Sequence, residues 1–191
     1  MAGHRDRMIA SAAMLIRERG ARPTAIGDVL AHSGAPRGSA YHYFPGGRNE
    51  LICEAVDYAA GYVATTIADA DSSLQMLDTA VRLYRDGLLA TDYRAGCPVM
   101  AVAVEAGDPD ISTDVVQRAA GAFDRWRDLI SSRLVSDGVS RGRATELATL
   151  VIAALEGALV LARAGRDVAP LDTVHRQLRG LLKAATERKR S

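Results

Sequence analysis

TAIGDVLAHSGAPRGSAYHYFPGGRNEL, residues 24–51, is the stretch from which the rest of the chain is read. Ile26, Val29 and Leu30 fall at i, i+3 and i+4, which makes one apolar helical face. Thr24 precedes that face and follows Pro23, so its hydroxyl is placed to cap the helix by accepting from a free backbone N–H. Ser33-Gly34 closes the helix, because glycine accepts the positive φ that a helix C-terminus often needs. Pro36 restarts a helix at a position where its missing N–H costs nothing. The new helix carries Arg37, Gly38, Ser39, Tyr41, His42 and Tyr43, a short rod of donors and aromatic rings, with Ala35, Ala40 and Phe44 as its inward contacts. A helix, a glycine-containing turn and a polar second helix describe a helix-turn-helix, whose second helix enters the DNA major groove.

Outward from this stretch the pattern stays helical in both directions. Arg5 to Arg19 carries Ile9, Ala12, Ala13 and Ile16 as a buried stripe and ends at Gly20. Arg48 to Ala68 continues without a proline, with Leu51, Ala55, Tyr58, Tyr62 and Ile67 near helical spacing. A helix of that length runs out of the N-terminal module into the body. Asp71-Ser72-Ser73 is a turn and cap before Leu74–Leu89. Thr91–Pro98 is a loop, and Val99–Glu105 a short apolar helix. Ile111–Leu134 follows the break at Gly107-Asp108-Pro109-Asp110, and Ser136-Asp137-Gly138 stops it. Arg141–Ala164 is apolar round most of its circumference, as a helix buried on several sides is. Gly165 and Pro170 bracket a loop before Leu171–Thr186, and the tail Glu187–Ser191 reads as solvated. Nothing alternates with period two, so the fold is expected to be all-α with about nine helices. Residues 1–50 are expected to form a three-helix DNA-binding module, and residues 51–191 a second, helical domain.

The run SGAPRGSAYHYFPGGRNEL, residues 33–51, resembles the N-terminal signature of the tetracycline-repressor (TetR/AcrR) family of transcriptional regulators. Its Gly-Ser-Ala-Tyr-His-Tyr-Phe core matches the family's recognition helix, and Gly20 and Thr24-Ala25-Ile26 sit where the family ends its first helix and begins its second. Pro45-Gly46-Gly47-Arg48 is one residue longer than the usual family turn and has Arg where Lys is common. That double glycine resembles the LmrA/YxaF-type branch. The resemblance implies DNA contact by Arg37, Gly38, Ser39, Tyr41, His42, Tyr43, Thr24 and Arg48. Arg37 is the candidate for a base edge, since its fork suits guanine O6 and N7. Gly38 lets the backbone approach the groove. Tyr41, His42, Tyr43 and Thr24 suit phosphates, which position without specifying. Arg48 resembles the family's phosphate-binding basic residue.

Charge agrees with a footprint at one end. The 191 residues carry a net charge of +1, but residues 1–50 hold seven basic side chains against four acids. A basic module on a mildly acidic body fits nucleic-acid binding confined to that module, although ordinary surface scatter gives the same count. Cys53 and Cys97 lack the paired spacing of a disulfide framework or a zinc site. No apolar run follows the N-terminal charges, and Leu147–Ala162, interrupted by Thr149 and Glu156, is too short for a membrane span. A cytoplasmic protein is expected.

Residues for catalysis are not arranged in a recognisable pattern. His32-Ser33-Gly34 is no nucleophile elbow, and no phosphate-cradling glycine loop or HExxH pair exists. No cofactor or metal is expected. The family's helical body encloses an effector pocket, for which Tyr84, Met100, Val104, Phe123, Trp126 and Leu155 are candidates, though all also suit a plain core. Glu156, within an apolar helix, fits an ion pair or cap to a neighbouring helix ahead of a ligand contact. The last two helices carry more apolar surface than one subunit needs, which suits a dimeric four-helix bundle. The expectation is a ligand-responsive repressor that binds a palindromic operator as a homodimer. The alternatives are a regulator without an effector and a helical enzyme or small-molecule carrier.

Overall fold

A computed structural model describes residues 3–187, and these residues form nine helices and no strand: α1 (His4–Arg19), α2 (Ile26–Ser33), α3 (Ser39–Tyr43), α4 (Gly47–Ala68), α5 (Ser73–Ala90), α6 (Pro98–Val104), α7 (Thr113–Ser136), α8 (Arg141–Gly165) and α9 (Ala169–Glu187). The all-α expectation holds. Of the tail read as solvated, residues 188–191 lie outside the described residues.

Local chemistry sets most boundaries. Gly20 ends α1 at φ 94°, and its N–H bonds the Ile16 carbonyl at 2.9 Å. Gly34 ends α2 in the left-handed region at φ 66°. Ser72 caps α5 by accepting from the Gln75 N–H at 3.2 Å, and Asp137 accepts from the Ser73 N–H at 2.6 Å.

Three boundaries differ from the reading of the sequence. The helix after the turn starts at Ser39, not at Pro36: the Pro36 carbonyl accepts from both the Ser39 N–H at 3.0 Å and the Ser39 hydroxyl at 2.6 Å. That closes a separate turn through Arg37 and Gly38. Thr24 does not cap α2. Its hydroxyl donates to the Gly20 carbonyl at 2.7 Å, and the cap is supplied by Asp28, whose carboxylate accepts from the Ala25 N–H at 3.2 Å. Pro170 lies inside the first turn of α9, where a missing N–H is harmless, and not in a loop.

The chain divides into two compact units. The first holds residues up to Gly61 together with Cys97–Ala122. In it α1 packs on α2 and on α6, around Met8, Ile16, Phe44, Leu51, Ile52, Val99 and Val102. The second holds Tyr62–Gly96 and the residues from Phe123 onward. There α9 packs on α5 and α8 around Met76, Leu77, Leu88, Leu147, Leu171 and Leu182. Fully burying such a side chain contributes about 1.5–3 kcal/mol. Two helices, α4 and α7, belong partly to each unit.

Helix α8 has 25 residues and is long and apolar enough to cross a membrane by length and composition alone, contrary to the expectation from Leu147–Ala162. One side of it is core, through Leu147, Val151, Leu155 and Leu159. The opposite side presents Leu150, Val160 and Leu161 to solvent.

Candidate nucleic-acid interface and cavity

In the first unit, α3 rests on two inward side chains. Ala40 and Phe44 are buried, as expected, and the Phe44 N–H bonds the Ala40 carbonyl at 2.8 Å. The Arg5 guanidinium lies 5.5 Å from the centre of the Phe44 ring and pairs with Glu54 at 2.5–2.6 Å. Phe44 is thus held from below by its neighbours and from the side by a cation over its face. What remains outward is polar. Arg37, Gly38 and His42 are exposed, and Tyr41 is 72% exposed. Ser39 and Tyr43 are half-buried, and the His42 and Tyr43 rings meet edge to face with centroids 5.1 Å apart. Gly38 has a helical backbone at φ −77°, and a side chain there would meet nothing within 4 Å. The six residues from Arg37 to Tyr43 named from the sequence therefore share one turn and one short helix.

Thr24 and Arg48 are placed differently. Thr24 is 2% exposed with its hydroxyl committed to Gly20. The Arg48 guanidinium reaches back across the α1–α2 connection. It donates to the carbonyls of Ala21 at 2.6 Å, Arg22 at 3.0 Å and Thr24 at 3.0 Å, and to Asp110 at 3.3 Å. From the other side, the Glu105 carboxylate accepts from the Ala21 and Arg22 N–H groups, each at 3.1 Å. Arg22 itself faces Asp108 and Asp110 at 3.4 and 3.5 Å. The α1–α2 connection is thereby clamped between a guanidinium at the start of α4 and a carboxylate at the end of α6. Sequence reasoning missed Glu105 and Arg5, whose partners lie 84 and 49 residues away. Only the cap by Asp28 carried a local signal, an acid three residues after the first free N–H.

The cysteines are structural in setting. Burial pushes the Cys53 thiol up, which disfavours the thiolate. Cys97 is buried and caps α6, its sulfur accepting from the Met100 N–H at 3.5 Å. Among the described residues, no group of three or more His, Cys, Asp or Glu side chains is placed to hold a metal ion.

The second unit contains a cavity of about 40 Å³ lined by residues of α4, α5, α7 and α8. Tyr84, Trp126 and Leu155, named from the sequence, line it together with Glu156. Phe123 does not line it but packs edge to face on Trp126, with centroids 5.4 Å apart. Met100 and Val104 do not line it either: both sit on α6 in the first unit, and Val104 is 67% exposed. Glu156, 5% exposed, accepts a hydrogen bond from the Tyr84 hydroxyl at 3.1 Å.

A helix-turn-helix with an outward polar second helix and a separate all-helical body is also what comparison with known proteins returns. Residues 8–55 match the model for bacterial regulatory proteins of the tetR family, and residues 73–177 match the C-terminal domain model of LmrA/YxaF-like transcriptional regulators. The chain belongs to the TetR family. It is 59% identical over 187 residues to the uncharacterized HTH-type transcriptional regulator Rv0196 of Mycobacterium tuberculosis, covering 96% of each chain. It is 28% identical to the HTH-type transcriptional regulator LmrA of Bacillus subtilis, over 94% of this chain and 96% of that one. Among solved structures, a TetR transcriptional regulator of Chloroflexus aurantiacus shares 27% identity over 94% of both chains, with a TM-score of 0.73. A regulatory protein TetR of Rhodobacter sphaeroides matches in fold at a TM-score of 0.79, covering 91% of this chain and 96% of that one, with 21% identity. This TetR-family member is thus a DNA-binding transcriptional regulator and not an enzyme.

Proposed function

We propose that this TetR-family regulator is a cytoplasmic repressor that binds a palindromic operator as a homodimer and is released by a small, mostly apolar effector. The observation that carries the reading is the outward row from Arg37 to Tyr43 on a buried Ala40–Phe44 base. A short helix so polar and aromatic has little to do for the fold and much to offer a groove. Arg37 is assigned to a base edge, with Ser39, Tyr41, His42 and Tyr43 on phosphates and Gly38 at the point of closest backbone approach. Thr24 and Arg48 are assigned to DNA binding through the α1–α2 connection that they hold. The dimer is assigned to the solvent-facing apolar side of α8 together with α9.

The effector reading is supported by the cavity in the second unit. At about 40 Å³ it has room for water and not for a drug-sized molecule, so an effector must bind a more open state and shift the population toward it. A coupling of about 3 kcal/mol corresponds to a roughly 150-fold loss of operator affinity.

Selection of DNA by the purified protein, followed by a salt titration, tests the reading. The expected result is a two-fold symmetric consensus whose affinity falls steeply with salt. Arg37→Ala should cost about 1–3 kcal/mol per base contact and relax preference at one position in each half-site. Tyr43→Phe should weaken specific and non-specific DNA alike. An asymmetric consensus would remove the dimeric operator, and an unchanged consensus in Arg37→Ala would remove the base contact.

A further inference from the structure

We infer that the C-terminal ends of α5 and α8 form a latch that keeps the cavity of the second unit shut: the Arg166 guanidinium grips Asp92 and the Tyr93 ring, and release of this grip opens the cavity to an effector. The inference rests on the ligand-responsive reading above and supplies the regulation of that cavity.

Helices α5 and α8 each supply a wall of the cavity, α5 through Leu77 and Tyr84, α8 through Leu155 and Glu156. They are tied to each other at two levels. The inner tie is the hydrogen bond from the Tyr84 hydroxyl to Glu156 at 3.1 Å. The outer tie lies further along both helices in the same direction, where the chain leaves each of them. There Arg166 donates to the Asp92 carboxylate at 2.6 Å and to the Asp92 carbonyl at 3.3 Å, and its guanidinium lies 5.6 Å from the centre of the Tyr93 ring. All of these residues belong to the second unit. An occupant that pushes α5 and α8 apart must stretch or break the outer tie.

The backbone of the outer tie is held against its own preference. Among the described residues, Asp92, Tyr93 and Arg166 are the three non-glycine residues with positive φ, at 53°, 60° and 53°. All three meet in this one cluster. Left-handed backbone is unfavourable for residues with a side chain, and for a bulky one such as tyrosine above all. It persists only where the surroundings over-determine it. Some of that support is local: the Tyr93 N–H bonds the Leu88 carbonyl at 2.7 Å, and the Thr91 hydroxyl donates to the Gly87 carbonyl at 2.7 Å while accepting from the Ala95 N–H at 3.0 Å. The support that comes from another helix is Arg166. Without it the loop keeps its strain and loses its anchor on α8. Asp92 and Arg166 are both exposed, so the tie is ionic, weak and screened by salt. A weak tie on a strained loop yields readily, as a latch must.

Acrylamide quenching of Trp126 tests this on the intact protein and needs no effector. Trp126 is the chain's only tryptophan, lines the cavity and is 3% exposed, so a neutral quencher reaches it when the cavity opens. Arg166→Asn and Asp92→Asn each remove the ion pair and keep a residue that tolerates left-handed backbone. Each should raise quenching about two- to fivefold, the range that an exposed ion pair controls. The double variant should go no further than either single one. Arg143→Gln, which breaks an exposed pair with Glu146 within α8, should leave quenching unchanged. In the wild type, raising sodium chloride from about 0.02 to about 0.5 M should raise quenching, and in the double variant it should not. Unchanged quenching in both single variants, an additive double variant or an equal rise in Arg143→Gln would overturn the latch. So would a wild-type protein insensitive to salt, a comparison that needs no variant to fold. Affinity for the DNA selected by the protein, measured on the same variants, separates the two readings. Stronger quenching with weaker DNA binding supports both. Stronger quenching with unchanged DNA affinity supports the latch and overturns the ligand-responsive reading. Unchanged quenching overturns the latch alone.

Discussion

Arg48 holds its guanidinium 2.6 Å from the carbonyl oxygen of Ala21, and the N–H of the same residue is taken by Glu105 at 3.1 Å. One peptide segment between α1 and α2 is thus bonded on both sides, by a cation from α4 and by an anion from the end of α6. The planar fork matters here, since Arg48 serves the carbonyls of Ala21, Arg22 and Thr24 at once.

A lysine in place of Arg48 keeps the charge but cannot span three carbonyls. Arg48→Lys is therefore expected to lose about 1–3 kcal/mol, because it leaves part-buried carbonyls unpaired. Urea unfolding measures this, and DNA affinity should fall by a similar factor for specific and random sequences. Unchanged stability with a large loss of DNA affinity would assign Arg48 to direct phosphate contact and would remove its bracing role.

Gly20 gives a second test of the same clamp. Its φ of 94° lies where side chains are rarely found, and a Cβ there would stand 2.4 Å from a Glu105 carboxylate oxygen. Gly20→Ala thus suffers backbone strain of about 1–3 kcal/mol and a clash. Glu105→Ala alone loses the two N–H partners at Ala21 and Arg22. The double variant escapes the clash but not the strain, so it should be more stable than the sum of the single effects implies, by about 0.5–3 kcal/mol. Strict additivity would show that Glu105 swings away freely and clamps nothing.

The two residues of this clamp also mark where the sequence stops being readable. Helix ends at Gly20, Gly34 and Gly138 and the cap at Ser72 follow from rules that span four residues, and all were legible. So was the row from Arg37 to Tyr43, because its polarity and order are local. Pro36 misled: proline is compatible with the first turn of a helix and equally with the turn before one, and the Ser39 hydroxyl decided for the latter. The role of Arg48 was invisible because its carbonyl partners carry no residue identity. Glu105 had no signal at all, since its partners are backbone N–H groups 83 and 84 residues away. Met100 and Val104 lie apart from the cavity of the second unit for a related reason: periodicity marks an apolar face but not which unit receives it.

A pH test uses Asp92 and Arg166 in the second unit. The Arg166 guanidinium donates to the Asp92 carboxylate at 2.6 Å and holds its pKa below the usual carboxylate value, while Asp92 raises that of Arg166. A carboxylate with a depressed folded pKa contributes stability that is present above its unfolded pKa, about 4, and is lost as pH falls through the folded value. Both side chains are exposed, so the contribution is small and salt-screened. Melting temperature against pH should fall less steeply below about pH 4 in Asp92→Asn than in the wild type. Asparagine is the right replacement because Asp92 has φ 53°, which asparagine tolerates and alanine resists. Identical acid limbs for the two proteins would deny the pair any part in stability.

The dimer reading has its sharpest test on α8. Leu161 is 63% exposed and lies on the same outward side as Leu150, Ala153, Gly157 and Val160, with Gly157 leaving room for a close neighbour. In an isolated subunit a charge at such a position changes stability by no more than about 0.5 kcal/mol. Across a two-fold axis the same substitution occurs twice, and each new carboxylate is buried against apolar surface at a cost of several kcal/mol. Leu161→Glu should therefore leave the helical content of each subunit intact and convert a dimer of twice 20.3 kDa into monomers at micromolar concentration, as read by light scattering. Operator affinity should fall with it, because two recognition helices held about 34–36 Å apart become two independent ones. Restoring dimerisation with a fused coiled coil of matching geometry should recover part of that affinity. A Leu161→Glu protein that stays dimeric would mean that the outward apolar side of α8 serves some other contact.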